Sequence, residues 1–179
     1  MVEIVVIACA AAVALALLLM LYAASRPGTF RVERSARIDA NAERIFPYVA
    51  DLHRFNTWNP YERKDPALRG EYGAVTSGVG ASYAWTSDKV GVGRFEITEL
   101  EAPSHVTMRL DFVKPFEAHD VAEFTLRPDG DATVVTWAMR GPSPFLSKLM
   151  QVFFSIDKMI GADFTAGLAN LKALAEGRA

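Results

Sequence analysis

Cysteine is almost missing from this chain of 179 residues, which has a single one, Cys9. That residue lies inside an apolar N-terminal run, so the rest of the chain offers no thiol for a disulfide, a zinc site or a nucleophile. Function classes that depend on cysteine chemistry are therefore excluded outside the N-terminal run.

An excess of positive charge is also lacking. The 19 Lys and Arg residues are balanced by 21 Asp and Glu residues, for a formal net charge of −2, and no basic run stands out. Binding to nucleic acid depends on a basic field that attracts the phosphate backbone, and this composition does not provide one. We expect no nucleic-acid partner.

The usual sequence signatures of metal and cofactor sites are absent as well. The three histidines, His53, His105 and His119, are scattered and show no His-x-x-x-His spacing. No Gly-x-Ser-x-Gly elbow occurs, and the two glycines around Val92 lack the rest of a dinucleotide fingerprint. We predict no metal and no cofactor, and leave open a Ser/His/Asp nucleophile assembled by the fold.

The chain does have a long apolar run near its N-terminus. Residues 4–24 are almost all apolar, which is about the 20 residues that a helix needs to cross the hydrocarbon core. We predict a transmembrane anchor at 1–25, a linker at 26–28 and a globular domain at 29–179. The positive-inside rule places the domain in the cytoplasm, because the nearby basic residues all follow the run, at Arg26, Arg31, Arg34 and Arg37. The alternative is a cleaved signal peptide and a secreted or periplasmic protein.

A second long pattern, at 143–176, predicts one continuous C-terminal helix. Ser143 is a good N-cap, and Pro144 suits the first turn. On a 3.6-residue wheel one apolar stripe contains Leu146, Leu149, Met150, Phe153, Ile156, Ile160, Phe164, Leu168, Leu171 and Leu174. Such a stripe requires a sheet to cover it. Val152, Phe154 and Met159 lie off the stripe, where they either touch lipid or pack beneath neighbouring loops.

Between these two helices the chain mostly alternates as strands do. Residues 29–39 form the first predicted strand, followed by short helices at 41–49, bent at Pro47, and at 52–58. Frequent Gly and Pro residues then separate six predicted strands, at 61–68, 81–87, 93–100, 105–112, 117–127 and 132–139. Period-2 alternation places one apolar face of these strands, including Trp137, against the C-terminal helix.

Several segments carry a resemblance to a known family: IDANAERIF at 38–46, Asp51 with WNP at 58–60, GVG at 91–93, KMIG at 158–161 and GLANL at 167–171. With the order of elements, they make the chain similar to the polyketide cyclase/dehydrase and lipid-transport branch of the START-like (SRPBCC) superfamily. The resemblance covers 29–176 and implies an α+β helix-grip fold. In that fold a curved antiparallel sheet of about seven strands wraps around the long C-terminal helix, with two short helices after strand one.

A cleft between such a sheet and its helix is the expected ligand site. Our candidates for binding an apolar ligand are the aromatic residues Trp58, Tyr83, Trp85, Phe112, Phe124, Trp137 and Phe153, and the alternative is that these rings fill the core. Asp157 lies near the middle of the apolar stripe, where burial would raise its pKa and suit it to acid/base catalysis. The alternative for Asp157 is an ion pair with an Arg or Lys at the cavity rim. Asp120 shares the apolar parity of its strand.

Three functions follow from these patterns. The first is a membrane-tethered protein that binds an apolar or aromatic small molecule, such as a lipid, an isoprenoid or a polyketide-like compound. The second is a cyclase or dehydratase that uses a cavity carboxylate or tyrosine as its acid/base. The third is a protein-interaction module, which a filled core without a cavity would favour.

Overall fold

The computed structural model describes residues 1–178, with the side chains of all of them except Phe153. The chain begins with a helix, α1 (Val2–Ser25), whose side chains are mostly exposed. Within the part of the chain that the structure describes, α1 is the one helix long and apolar enough to cross a membrane. The prediction of a long apolar N-terminal helix is confirmed, and its role as an anchor stays a prediction.

Seven antiparallel strands form one sheet in the order β1-β7-β6-β5-β4-β3-β2. The strands are β1 (Thr29–Ile38), β2 (Arg69–Tyr72), β3 (Ser82–Ser87), β4 (Gly91–Glu101), β5 (His105–Lys114), β6 (Ala118–Asp129) and β7 (Ala132–Pro142). The β6–β7 hairpin turns at Gly130, whose φ of 63° is a left-handed conformation that glycine adopts without strain. The predicted α+β helix-grip fold is confirmed.

Short helices follow β1, as predicted: α2 (Ala42–Ile45), α3 (Pro47–Ala50) and α4 (Leu52–Trp58). The Asn41 side chain caps α2 by accepting a 3.0 Å hydrogen bond from the backbone N–H of Arg44. Asp51 caps α4 in the same way, accepting from the backbone N–H groups of His53 and Arg54. Pro47 begins α3, where its missing N–H costs nothing.

The predicted strand at 61–68 is wrong. Residues Pro60–Arg63 form a 3-10 turn, and β2 begins only at Arg69. The turn forms because Asn59 Oδ1 accepts a 3.2 Å hydrogen bond from the Tyr61 N–H, and Pro60 has the φ that a first helical position needs. Local capping thus overrides the alternation that suggested a strand.

The C-terminal segment is not one helix but two, α5 (Phe145–Phe153) and α6 (Ile156–Ala175). Phe154 and Ser155 are extended between them, and the Ser155 side chain caps α6 by accepting from the Lys158 N–H. Ser143 is not an N-cap either, because Pro144 takes that position and the Ser143 hydroxyl accepts a 2.7 Å hydrogen bond from Gln151. Because of this break, the apolar residues of α5 and those of α6 do not form one continuous helical stripe.

The core lies between the inner face of the sheet and helices α4 and α6. The Trp137 ring stacks on Phe164 of α6, with centroids 4.0 Å apart and planes 11° apart. The apolar face expected from alternation is buried at most positions, including Tyr83, Trp85, Phe95, Ile97, Val106, Met108, Ala122, Phe124, Leu126, Val135, Trp137 and Met139. Strand parity was therefore predicted correctly.

Strand register shows which connections share one end of the sheet. Thr29, which begins β1, pairs with Pro142 at the end of β7. Phe112 near the end of β5 pairs with Ala118 at the start of β6, and the β3–β4 turn begins at the Ser87–Gly91 pair. Since α1 leads into β1 and α5 follows β7, we call this the anchor end of the sheet. The β6–β7 hairpin lies at the opposite end.

Candidate functional site

A cavity of about 310 Å³ lies between the inner face of the sheet and α6. Its floor is formed by apolar side chains of the central strands, among them Phe95, Met108, Ala122 and Phe124. Ile160 and Phe164 of α6 cover it from the other side. The space is at the small end of the range for pockets that take drug-sized ligands.

Five of the seven aromatic residues predicted to bind a ligand line this cavity: Tyr83, Trp85, Phe112, Phe124 and Trp137. Trp58 does not line the cavity; it is completely buried, and its indole N–H donates a 2.8 Å hydrogen bond to the Tyr48 carbonyl. Its ring meets Phe124 and Trp137 edge-on, so Trp58 supports the lining rings from behind. The side chain of Phe153 lies outside the described part of the chain.

The mouth of the cavity is marked by its exposed lining residues, Lys64, Lys89 and Met159. Lys89 belongs to the β3–β4 turn, which lies at the anchor end. The loop of Lys64 is held to the same turn, because Asp65 accepts a 2.7 Å hydrogen bond from the Ser87 hydroxyl. Lys64 also forms a 2.6 Å ion pair with Asp163 of α6. The cavity therefore opens at the anchor end, whereas Trp137 lies at its inner end.

A tyrosine and a carboxylate meet in the wall of the cavity. The Tyr83 hydroxyl donates a 2.8 Å hydrogen bond to Glu62 Oε1. Burial raises the pKa of Tyr83, and the hydrogen bond to Glu62 raises it further. Burial also raises the pKa of the Glu62 carboxyl, which the hydrogen bond from Tyr83 partly opposes. Sequence reasoning missed Glu62, since its segment was interpreted as a strand and no local signal links it to Tyr83.

Two lining residues, Trp85 and Trp137, contain a buried donor, the indole N–H, without an acceptor among the described residues. A buried donor left unpaired costs about 1–3 kcal/mol. The two rings are linked by a chain of aromatic contacts through Phe95 and Phe55. Neither nitrogen is accessible from the cavity, so both belong to the packed wall behind its surface.

Asp157 is not the buried carboxylate that the apolar stripe suggested. It does not line the cavity, its side chain is 58% exposed, and it forms an ion pair with Arg34 of β1 through two 3.0 Å hydrogen bonds. These hydrogen bonds lower the pKa of the Asp157 carboxyl below its usual value. The expected raised pKa is therefore wrong, and the alternative of an ion pair with an arginine is correct. Gly161 leaves room for this arginine, since a Cβ there would collide with the Arg34 guanidinium.

Asp120, like Asp65, is one of the carboxylates that the fold does bury. It is 5% exposed on the inner face of β6, beside Gly141 and Phe30, and its Oδ1 has no partner among the described residues. Burial raises the pKa of Asp120 to about 6, and the nearby His119 opposes this only in part. Asp120 lies beyond the cavity lining, so its burial is a feature of the core at the anchor end.

We expect Asp120→Asn to change how stability depends on pH. The Asp120 carboxyl has a pKa near 3.8 in the unfolded chain and near 6 in the folded protein. Between these two pH values it is ionised in the unfolded chain but still mostly protonated in the folded protein. The stability of the wild type therefore falls as the pH rises through this window. Above pH 6 the full penalty remains, about 2.7 kcal/mol for a pKa raised from 3.8 to about 6. The variant should therefore gain about 2.7 kcal/mol relative to wild type at pH 7.5 compared with pH 3.5.

Chemical unfolding of the detergent-solubilised chain, followed by tryptophan fluorescence, measures this difference, since all three tryptophans lie after α1. Asp131→Asn, in the exposed β6–β7 turn, is the matched control. Equal stability differences at both pH values would show that Asp120 is not held protonated by the fold.

Among the described residues, no group of three His, Cys, Asp or Glu side chains is placed so that it could hold a metal ion. The polar groups at the cavity are instead suited to hydrogen bonding. Tyr83 and Glu62 form a hydrogen-bonded pair in the wall, and Lys64 and Lys89 supply donors at the mouth. The arrangement can therefore enclose an apolar molecule and orient its few polar atoms.

Comparison with known proteins agrees with this architecture. Residues 29–176 match the family described as polyketide cyclase / dehydrase and lipid transport. No curated protein matches the chain.

Solved structures share the fold at low sequence identity. Protein CV1439 from Chromobacterium violaceum is 16% identical, with a TM-score of 0.59 over 84% of this chain and 99% of that one. Protein Ms6760 from Mycobacterium smegmatis is 18% identical, with a TM-score of 0.58 over 83% and 92%. The Aha1 dimer from Colwellia psychrerythraea is 16% identical, with a TM-score of 0.57 over 83% and 98%. These likenesses show the fold alone, whereas the family match spans almost everything after α1. The chain belongs to the polyketide cyclase / dehydrase and lipid transport family.

Proposed function

We propose that this protein is a membrane-tethered binding protein for an apolar or aromatic small molecule, such as a lipid, an isoprenoid or a polyketide-like compound. The observation that carries the proposal is the 310 Å³ cavity, which is walled by Tyr83, Trp85, Phe112, Phe124 and Trp137. Aromatic rings offer a large apolar contact area, and a preformed cavity takes a ligand without the cost of opening the core. A cavity of this size also speaks against a function as a protein-interaction module with a filled core.

The ligand class is indicated by the composition of the cavity wall. Most of the lining side chains are apolar, and the polar ones include Tyr83, Glu62 and, at the mouth, Lys64 and Lys89. We therefore expect a largely apolar ligand with few polar atoms.

The tether in this proposal is α1, with the domain in the cytoplasm. Its support is the apolar span of Val2–Ser25 and the arginines that follow it. Protease added to intact cells should leave the domain uncut. Loss of the domain under these conditions, or a mature chain that begins after Ala24, would instead support signal cleavage or the opposite orientation.

Native mass spectrometry of the full-length protein, extracted in detergent from its own cells, tests the binding function. We expect a second mass series that corresponds to one bound hydrophobic compound, released when the protein is unfolded by collisional activation. Repeated extractions that give only the ligand-free mass, across mild detergents and with added total lipid extract, would overturn the proposal.

An enzymatic function of the cyclase or dehydratase type has one specific observation in its favour, the pair of Tyr83 and Glu62 in the cavity wall. A phenol with a raised pKa remains a proton donor, and a carboxylate beside it can accept a proton. If the compound that co-purifies is converted by the wild type, Tyr83→Phe should lower the rate by roughly a hundredfold and leave binding intact. If the wild type does not convert the compound, the enzymatic function is wrong and binding is the function that remains.

A further inference from the structure

A patch of apolar side chains is exposed at the anchor end of the sheet. It consists of Val113 and Phe116 on the β5–β6 connection, Phe145, Leu146 and Met150 on α5, Phe154 between α5 and α6, and Met159 on α6. We call it the anchor-end patch. Phe116 is 60% exposed, Phe154 66% and Met159 64%. Large apolar side chains exposed together at one end of a domain often mark a contact with a partner or a membrane.

The register of the sheet explains why these residues share one end. The β5–β6 connection lies where β1 begins, and α5 starts directly after β7 returns to the same place. The cavity mouth is at this end too, because Met159 belongs both to the patch and to the lining. The patch therefore lies beside the opening of the cavity.

Helix α1 sets the depth of the patch relative to a bilayer. Helix α5 packs against α1. On α1 only Leu19 and Ala23 are withdrawn from solvent, and Ala23 is fully buried, so the contact involves its last two turns. Two turns of helix rise about 11 Å. In a membrane, α5 would thus lie near the level where the apolar span of α1 ends, which is where amphipathic helices settle.

If α1 spans a membrane, the short linker that follows it keeps the domain close to the bilayer. The three residues between α1 and β1, at 26–28, can extend over roughly 10 Å at most. Lysines border the patch at Lys114, Lys148 and Lys158, and long basic side chains at such a border reach the lipid headgroups. Glu117 is the acidic residue of the β5–β6 connection and is exposed, so it can remain in water.

We propose that the anchor-end patch docks on the bilayer surface and holds the cavity mouth open to lipid. Apolar ligand can then pass between the bilayer and the cavity without crossing water. This inference rests on the membrane tether of the proposed function and extends it. It assigns Phe116 and Phe154 to membrane contact and Met159 to the rim of the opening.

Depth-dependent fluorescence quenching tests the docking in the full-length chain. In a Cys9→Ala background, single cysteines at Phe116, Phe154 and Met159 carry an NBD fluorophore, and the protein is reconstituted in phosphatidylcholine vesicles brominated at acyl carbons 6 and 7. Asp131→Cys, in the exposed turn at the opposite end of the sheet, is the matched control. We expect quenching by about half or more at the three patch positions and none at position 131, since interfacial side chains lie about 5–10 Å deep.

Carbonate extraction of the same vesicles tests the membrane tether separately from the docking of the patch. If the protein stays in the membrane and the patch labels are quenched no more than the control, docking is wrong while the tether stands. If carbonate removes the protein from the vesicles, the tether itself fails, and the docking inference fails with it. Native mass spectrometry reports cavity binding independently of both outcomes.

Discussion

Replacing Trp137 by alanine should lower the free energy of unfolding by about 3–5 kcal/mol, a large part of the stability of a single domain. Trp137 is 5% exposed at the inner end of the cavity, stacked on Phe164 and met edge-on by Trp58. Its removal would enlarge the cavity by an indole and detach β7 from α6. Chemical unfolding followed by the fluorescence of the two remaining tryptophans measures the loss.

Two further variants show whether the loss comes from the ring. Trp137→Phe keeps an aromatic ring against Phe164 and removes the unpaired N–H, so it should cost only about 1–1.5 kcal/mol. Arg140→Ala, on the outer face of the same strand, breaks an exposed ion pair with Glu123 and should cost less than about 1 kcal/mol. If Trp137→Ala were no more harmful than Arg140→Ala, the packing of β7 against α6 would have to be rejected.

Filling the cavity should weaken ligand binding strongly. Ala122 lies in the centre of the cavity floor, between Met108 and Met139 on the neighbouring strands. A phenyl ring introduced by Ala122→Phe would occupy the space that a ligand needs. We expect affinity for the co-purifying compound to fall by roughly a hundredfold, or about 2.7 kcal/mol.

The matched control places the same ring on the other face of the sheet. Ala84 is exposed on β3, and Ala84→Phe should keep the compound bound. Overpacking at Ala122 costs about 1–3 kcal/mol, so the unfolding midpoint must confirm that the variant is folded before binding is compared. A folded Ala122→Phe protein that retains as much compound as Ala84→Phe would show that the ligand, if any, binds elsewhere.

Much of the fold could be predicted from local patterns. Alternation identified the inner face of the sheet because each strand residue has its direction set by its own position, which is why Tyr83, Trp85, Phe124 and Trp137 were placed correctly. The β6–β7 turn was also predictable, since the positive φ of Gly130 is a local requirement. The resemblance to the family supplied the arrangement of the strands and helices in the fold.

Other parts could not be predicted, because the deciding contact is distant in sequence. The apolar stripe continues from Phe153 to Ile156 in helical register, so nothing in its periodicity reveals the break at Phe154 and Ser155 between α5 and α6. Once α6 starts afresh at its Ser155 cap, Asp157 falls in the first turn, where it reaches Arg34 of β1. The misplacement of Asp157 follows directly from the missed break.

The sequence by itself determined the composition of the inner face, the apolar N-terminal helix and the membership of the polyketide cyclase / dehydrase and lipid transport family. Only the tertiary structure decided which carboxylates are buried and where the cavity opens. Glu62 meets Tyr83, and Asp120 fits beside Gly141, through the pairing of segments far apart in the chain. Strand register likewise brings α1, α5 and the cavity mouth to one end of the sheet, and register depends on which strands pair rather than on any one strand's own residues.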